Sequence, residues 1–294
     1  MKKRYLITAL TLGYSLLEPY LQRTRRYNIV DEQVPINFNN YKIAFLSDIH
    51  YGRTIHDKNL MKIVNKVNKW NPDIIVLGGD YVMAKEYIEP CFRVLSKLKP
   101  KDSIYAVIGN HDVVEGLEET EYEIRNNNIK SINNSAYWIK RGDQKIKIGG
   151  VGDLRTQVQI IKPTIENTSI KDYVILVTHN PRYIYQLKKE YDINLVLAGH
   201  THGGQISALK YLSKIVPPII DQAAAFSYLS GKTHKNARDI IVSNGIGTAK
   251  FPIRLLTWPE TIFITLNHGK KNVVTVRQGK KKAVTIRQGK KKNS

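Results

Sequence analysis

Five apolar runs in this chain stop abruptly at Gly, Asp, Asn or His, and no other feature constrains the fold as much. The runs are Ile43–Leu46, Ile74–Leu77, Ile104–Ile108, Val174–Val177 and Leu195–Ala198. They lead into Asp48-Ile49-His50, Gly79-Asp80, Gly109-Asn110-His111-Asp112, Thr178-His179-Asn180 and Gly199-His200-Thr201-His202. Runs this short that end at turn formers read as buried strands meeting loops. Helix-like stretches lie at Asp57–Trp70, Glu86–Leu98, Thr120–Asn126 and Pro181–Glu190. Strands alternating with helices make the class α/β. In α/β sheets the ligand site lies beyond the carboxyl ends of the strands, where these five segments converge. On an extended strand, Asp-x-His and His-x-His would each point both side chains one way.

The residue types narrow the chemistry. The segments hold Asp48, His50, Asp80, Asn110, His179, His200 and His202, seven side chains able to bind metal, and one further histidine, His111. Imidazole, carboxylate and carboxamide without thiolate suit Mn, Fe or Zn rather than calcium or a structural zinc. Seven donors are too many for one ion and about right for two that share a carboxylate. Two ions roughly 3.5–4 Å apart hold a nucleophile at neutral pH and clamp both oxygens of an in-line displacement at phosphorus. The plain alternatives are an N-cap for Asp80 and a turn for Asn110. They explain single residues but not the ordered set.

The order Asp-x-His, Gly-Asp, Gly-Asn-His-Asp, His, Gly-His-x-His resembles the calcineurin-like metallophosphoesterase superfamily over roughly residues 41–267. The resemblance implies two divalent ions, one on Asp48, His50 and His202, the other on Asn110, His179 and His200, with Asp80 bridging. It implies that His111 protonates the leaving oxygen or stabilises the phosphoryl charge, and that Asp112 orients His111. The implied reaction is phosphoester hydrolysis by a metal-bridging hydroxide, with a phosphodiesterase favoured over a phosphomonoesterase or a non-catalytic metal- and lipid-binding scaffold. The implied fold is a four-layer α/β/β/α sandwich with two mixed β-sheets. Arg238–Ser243 and Thr261–Leu266, strand-like without long helices between them, agree with that sandwich. Gly203-Gly204-Gln205 and the stretch from Gly245 to Glu260 resemble a bacterial envelope branch related to UDP-2,3-diacylglucosamine hydrolases.

Other residues have weaker claims. His56, His234 and His268 fall outside the pattern and read as surface residues. Asp153 and Arg155 follow the strand-like Lys145–Val151 and read as a structural turn, with an approach to substrate as the alternative. Arg254 reads as a phosphate contact or an internal ion pair. Cys91, the only cysteine, reads as a small core residue, so there is neither a disulfide nor a thiolate metal site.

The formal net charge of +21 is uneven. Residues 1–26 carry +5, residues 269–294 carry +10, and the remaining +6 is spread along the body. The chain therefore divides into a 1–26 membrane-association segment, a 27–268 catalytic domain and a 269–294 basic tail. A nucleic-acid enzyme carries its basic stripe on the body, so nucleic acid is not the expected partner. An anionic membrane or cell-wall surface is. Lys2-Lys3-Arg4 precedes an apolar run, Tyr5 to Leu17, then Glu18-Pro19 and Arg23, Arg25 and Arg26. Thirteen residues fall short of the roughly 20 that span a bilayer. A short anchor, an interfacial helix and a helix packed on the domain all remain open. The tail repeats Gly-Lys-Lys with apolar triplets from Gly269 and Gly279, which could pair as brief strands or stay solvated. After His202, the apolar Ile215–Ile220 could meet a lipid or serve a buried turn.

Overall fold

The computed structural model describes residues 2–205, 228–270, 273–278 and 281–286. The apolar stretch Ile215–Ile220, expected to meet a lipid or serve a buried turn, lies outside the described residues. The strands are β1 (Arg23–Asp31), β2 (Tyr41–Leu46), β3 (Ile74–Leu77), β4 (Ser103–Ala106), β5 (Lys130–Ser131), β6 (Ala136–Arg141) and β7 (Gln144–Gly150). They continue with β8 (Val174–Thr178), β9 (Leu195–Ala198), β10 (Gly231–Lys235), β11 (Arg238–Val242), β12 (Glu260–His268), β13 (Val273–Gln278) and β14 (Lys281–Ile286). The α-helices are α1 (Lys2–Leu17), α2 (Asp57–Trp70), α3 (Ile88–Leu95), α4 (Asn110–Asn126) and the short α5 (Lys162–Ile165).

Two mixed six-stranded sheets result, in the orders β1-β12-β2-β3-β4-β5 and β10-β11-β9-β8-β7-β6. Period-2 alternation explains how they stack. In β2, Ile43 and Phe45 point into an apolar layer shared with Ile146, Ile148, Ile175, Val177, Leu195 and Leu197 of the other sheet. Ala44 and Leu46 point the other way, onto Leu60, Ile63, Val64 and Val67 of α2 and Phe92 and Leu95 of α3. The outer face of the second sheet packs Val174, Leu176, Val196 and Ala198 under Tyr183, Ile184 and Leu187. The expected sandwich of two mixed sheets with flanking helices is the fold, and every apolar run that announced it is a strand.

Several expected elements differ. Pro181–Glu190 is a 3-10 turn over Pro181–Gln186, because Pro181 opens it, Asn180 Oδ1 caps Arg182 N, and Leu187 leaves it extended. The expected Glu86–Leu98 helix narrows to α3, preceded by a 3-10 turn. Helix α4, seventeen residues from Asn110 to Asn126 with a break at Gly116, starts at the Gly-Asn-His-Asp motif itself rather than at Thr120. Strand β1 had no apolar signature, and it begins at Arg23, inside the segment set apart by charge. It pairs in parallel with β12 along its whole length. The two copies of the tail repeat pair as an antiparallel hairpin, Val273 opposite Ile286. Cys91 is buried in α3, and His56, His234 and His268 are exposed. No helix among the described residues is long and apolar enough to cross a membrane.

Candidate dinuclear metal centre

The carboxyl ends of β2, β3, β4, β8 and β9 deliver the seven donors to one place. The local geometry is not the strand alternation that the Asp-x-His and His-x-His spacings suggested. Strand β2 stops at Leu46 and β9 at Ala198, and the donors come after. Asp48, His50, Asp80, His200 and His202 all hold left-handed backbone, with φ between 44° and 69°. Non-glycine residues adopt that region at a cost of roughly 1 kcal/mol or more each, and such outliers collect at functional sites. Tight left-handed turns bring Asp48 and His50 together but send His200 and His202 to different neighbours.

Two groups of donor atoms form, each within 4.8 Å: Asp48 with His50 and His202, and Asp80 with His179 and His200. His50 Nε2 lies 3.0 Å from His202 Nε2. His200 Nδ1 lies 3.1 Å from His179 Nε2. Asp80 stands between the groups, its Oδ2 3.6 Å from His50 Nε2 and 3.2 Å from His179 Nε2. Its other oxygen accepts from His111 N at 2.8 Å. His200 N likewise donates to Asp48 Oδ1 at 2.8 Å, tying β9 to β2 across the two sheets. Such close approach requires glycine. A Cβ on Gly109 would sit 2.2 Å from Asp80 Oδ1, and one on Gly199 would sit 2.4 Å from Asp48 Oδ2.

The site is buried and rich in acceptors. Burial pushes His50 and His200 down to about 3 and His202 well below its ordinary value, so their rings are neutral at pH 7. Burial opposes a charge on His179 too, but the Asp80 carboxylate outweighs it and raises the ring to about 10. Burial lifts Asp48 to about 6. His179 Nδ1 faces Gly78 O at 2.8 Å, which leaves Nε2 directed at Asp80 and His200. Asn110 Oδ1 is buried with no hydrogen-bond partner. Imidazole rings, carboxylates and an orphaned carboxamide oxygen all face inward, a donor set that fits divalent cations.

Asp112 does something other than the orientation of His111 by side-chain contact. Its carboxylate accepts from Asp80 N, Tyr81 N and Gly109 N, each at 2.8 Å. It thereby caps α4 and pins the Asp80 turn, and it acts on His111 only through the backbone that both share. His111 stands at the edge of the site, its ring 4.9 Å from that of His50 and one donor atom grouped with His50 and Asp80. An open cavity of about 460 Å³ reaches the donors. Its walls include His111, Arg155, Gln205, Lys250, Phe251 and Ile253.

The weaker expectations resolve individually. Asp153 is structural, its Oδ2 accepting from Arg155 N at 2.8 Å and Thr156 N at 3.1 Å, whereas the exposed Arg155 lines the cavity. Arg254 is neither a phosphate contact nor an ion pair. It is fully buried, with donor bonds to Thr257 O and Asn244 O at 2.7 Å and to Gly247 O, and it packs 3.3 Å from His202 Nδ1. Burial pushes it down to about 10, leaving it charged at pH 7. It braces the 244–247 turn, whose Ile246 N and Gly247 N donate to Ser47 O at 3.0 Å and Asp48 O at 2.7 Å. Sequence reasoning missed this brace. Its only trace was the glycine spacing in the Gly245–Glu260 stretch.

Five converging strand ends, two donor groups and one carboxylate between them define a dinuclear metallophosphoesterase site. The family described as calcineurin-like phosphoesterase matches residues 41–204, and the chain belongs to it. That family is dinuclear and metal-dependent, and its members hydrolyse phosphoesters. An uncharacterized metallophosphoesterase of Aquifex aeolicus is 31% identical over 273 residues, 90% of this chain and 99% of its own. The uncharacterized metallophosphoesterase YkuE of Bacillus subtilis is 29% identical, covering 86% of this chain and 89% of its own. A transmembrane protein with metallophosphoesterase domain from Danio rerio is 28% identical, covering 89% of this chain and 61% of its own.

Proposed function

We propose that this chain is a phosphodiesterase acting at an anionic membrane or envelope surface. The observation that carries the reaction is the pair of donor groups flanking Asp80, with His111 at their open edge. Asp48, His50 and His202 would hold one ion, Asn110, His179 and His200 the other, and Asp80 both, with Mn, Fe or Zn suiting these donors. When bound, two such ions supply a nucleophile at neutral pH and a positive clamp on the phosphoryl oxygens. The protein's own work is to hold, attract and protonate. The left-handed turns and the Asp112 cap keep the donors in place. Arg155 and Lys250, both exposed at the cavity wall, attract the phosphoester anion. His111 gives a proton to the leaving oxygen from a ring nitrogen, a transfer that contributes typically 10²–10⁴-fold.

The diester preference rests on the cavity, which is open and continues past the donors along Ala249, Phe251 and Ile253. A second substituent on phosphorus has a wall to lie against. The envelope resemblance of Gly203–Gln205 and Gly245–Glu260 points to an envelope phosphodiester, and the basic apolar N-terminal segment to membrane attachment. The test is hydrolysis of bis(p-nitrophenyl) phosphate against p-nitrophenyl phosphate by the full chain, stripped of metal and reloaded with Mn. Metal-dependent diester cleavage is expected. Cleavage of the monoester alone would replace the diester reading, and silence on both with two ions bound would leave a scaffold.

A further inference from the structure

Leu256 is a bulky side chain in the wrong place for a folded core. Its backbone is left-handed, with φ 57°, where Asn or Gly sits with less strain. Its side chain is 68% exposed and so buries little in return. An outlier of this kind points toward function. Around it stand further exposed apolar groups: Phe251 and Trp258 on the same loop, Leu16 and Leu17 at the end of α1, and Tyr20 and Leu21 in the 3-10 turn that follows and just beyond it.

These groups form one rigid junction. Arg254 N donates to Ser15 O at 2.9 Å. The carboxylate of Glu18, itself fully buried, accepts from Leu256 N at 2.8 Å and Thr257 N at 2.6 Å. Tyr14 reaches both Glu18 and Trp258. Above this foot every described side chain of α1 up to Gly13 is exposed, including Tyr5, Leu10 and Leu12. The helix is about 24 Å long at 1.5 Å per residue, too short for a hydrocarbon core of roughly 30 Å. It carries no acid, and Lys2, Lys3 and Arg4 precede its apolar run. Exposed Lys250 and Arg53 flank Phe251, Arg53 donating to Lys250 O. Apolar and aromatic side chains ringed by cations match the headgroup zone of an anionic bilayer.

We propose that α1 and the 249–258 loop together form a bilayer-docking surface that seats the mouth of the metal site on anionic lipid, so that the substrate phosphoester is borne by a lipid. The reason for the second clause is continuity. Ala249, Lys250, Phe251 and Ile253 line the cavity and run directly into Leu256. The docking clause is independent of the hydrolase reading, whereas the substrate clause rests on it.

The experiment uses the full chain loaded with Mn and vesicles of phosphatidylglycerol with phosphatidylcholine, against phosphatidylcholine alone. Co-sedimentation is expected only with the anionic vesicles. Leu256→Asn and Leu10→Asp should each weaken it about tenfold, the cost of withdrawing one large apolar side chain. Because Asn accepts a left-handed backbone, Leu256→Asn should melt no earlier than wild type. Both variants should hydrolyse soluble bis(p-nitrophenyl) phosphate at the wild-type rate. Both should cleave hexadecyl p-nitrophenyl phosphate in vesicles more slowly. The basic tail is present throughout, so it cannot account for the difference. Wild type remaining in the supernatant, or both variants sedimenting like wild type, would overturn the docking surface. Equal rates on the vesicle-borne ester would overturn the substrate clause. No soluble turnover by the wild type, with its vesicle binding intact, would overturn the hydrolase reading and leave the surface standing.

Discussion

Both ends of the stacked sheets gather charged and polar residues, and the two gatherings are built on opposite plans. At the amino ends, Asp73 accepts from Lys42 N at 2.7 Å and pairs with Arg141 at 2.8 Å and Lys101 at 3.0 Å. Tyr41 donates to Asp102 at 2.8 Å, and Arg141 stacks 4.6 Å from the Tyr41 ring. Each charge there meets its opposite, and the network closes on itself. At the carboxyl ends, seven donors converge: imidazole rings, carboxylates and an unpartnered carboxamide oxygen. Only a guest cation completes that set. A network that closes supports the fold, whereas one left open toward a cavity is kept for a ligand, at the expense of left-handed backbone and buried charge.

The sharpest way to break the comparison is Asp80→Asn. Removing the carboxylate between the donor groups should lower kcat/KM on the diester by at least on the order of 10³, about 4 kcal/mol, with fewer than two ions per chain by elemental analysis. Near-normal turnover would mean that Asp80 does not join the two groups. His111→Ala should cost about 10²–10⁴ in kcat while both ions remain bound. Loss of metal in that variant would move His111 from proton donor to ligand.

Removing the metals should unsettle only the open end. At an ion concentration one hundred times its Kd, bound metal stabilises by about 2.7 kcal/mol. Chelation should therefore lower Tm by several degrees, and a chelator-insensitive Tm would count against the donor set. Asp73→Asn tests the closed end and carries the smallest effect, a loss of about 1 kcal/mol at pH 7 with diester turnover unchanged. Burial would raise the Asp73 carboxyl, but the Lys42 amide, Arg141 and Lys101 outweigh it and hold it below its usual value. A depressed folded pKa gives stability that is present above 3.8 and fades as pH falls through the folded value. The Tm gap between wild type and variant should therefore close in acid. A gap constant down to pH 2 would show that the charge of Asp73 is not what the network uses.

Legibility in the sequence followed local chemistry. The apolar runs were readable as strands because burial on both faces leaves an unbroken apolar signature. Strand β1 was not, since Arg23-Thr24-Arg25-Arg26 looks like a charged linker. It joins the sheet because β12 offers a parallel edge and buried Glu260 pairs with Arg23 at 3.2 Å and Arg25 at 3.0 Å. The start of α4 was hidden for a similar reason. Gly-Asn-His-Asp reads as a loop until Asp112 is seen capping the helix it belongs to. The 3-10 turn at Pro181–Gln186 likewise had a helix's composition without the length or packing to become one.

From the sequence alone came the donor types, their order, their positions after strands and thus the kind of chemistry, because strand patterning and metal preference depend on residue identity over short distances. The division of His200 and His202 between two donor groups was implied there only by resemblance. The tertiary structure determined how five left-handed and capped turns aim the donors. It also revealed the Arg254 brace, the exposed cavity wall at Arg155 and Phe251, and the joining of α1 to the loop beside the site. Those features depend on contacts between segments such as Glu18 and Thr257, 239 residues apart, where backbone amides, buried charge and close packing meet, and no local pattern records them.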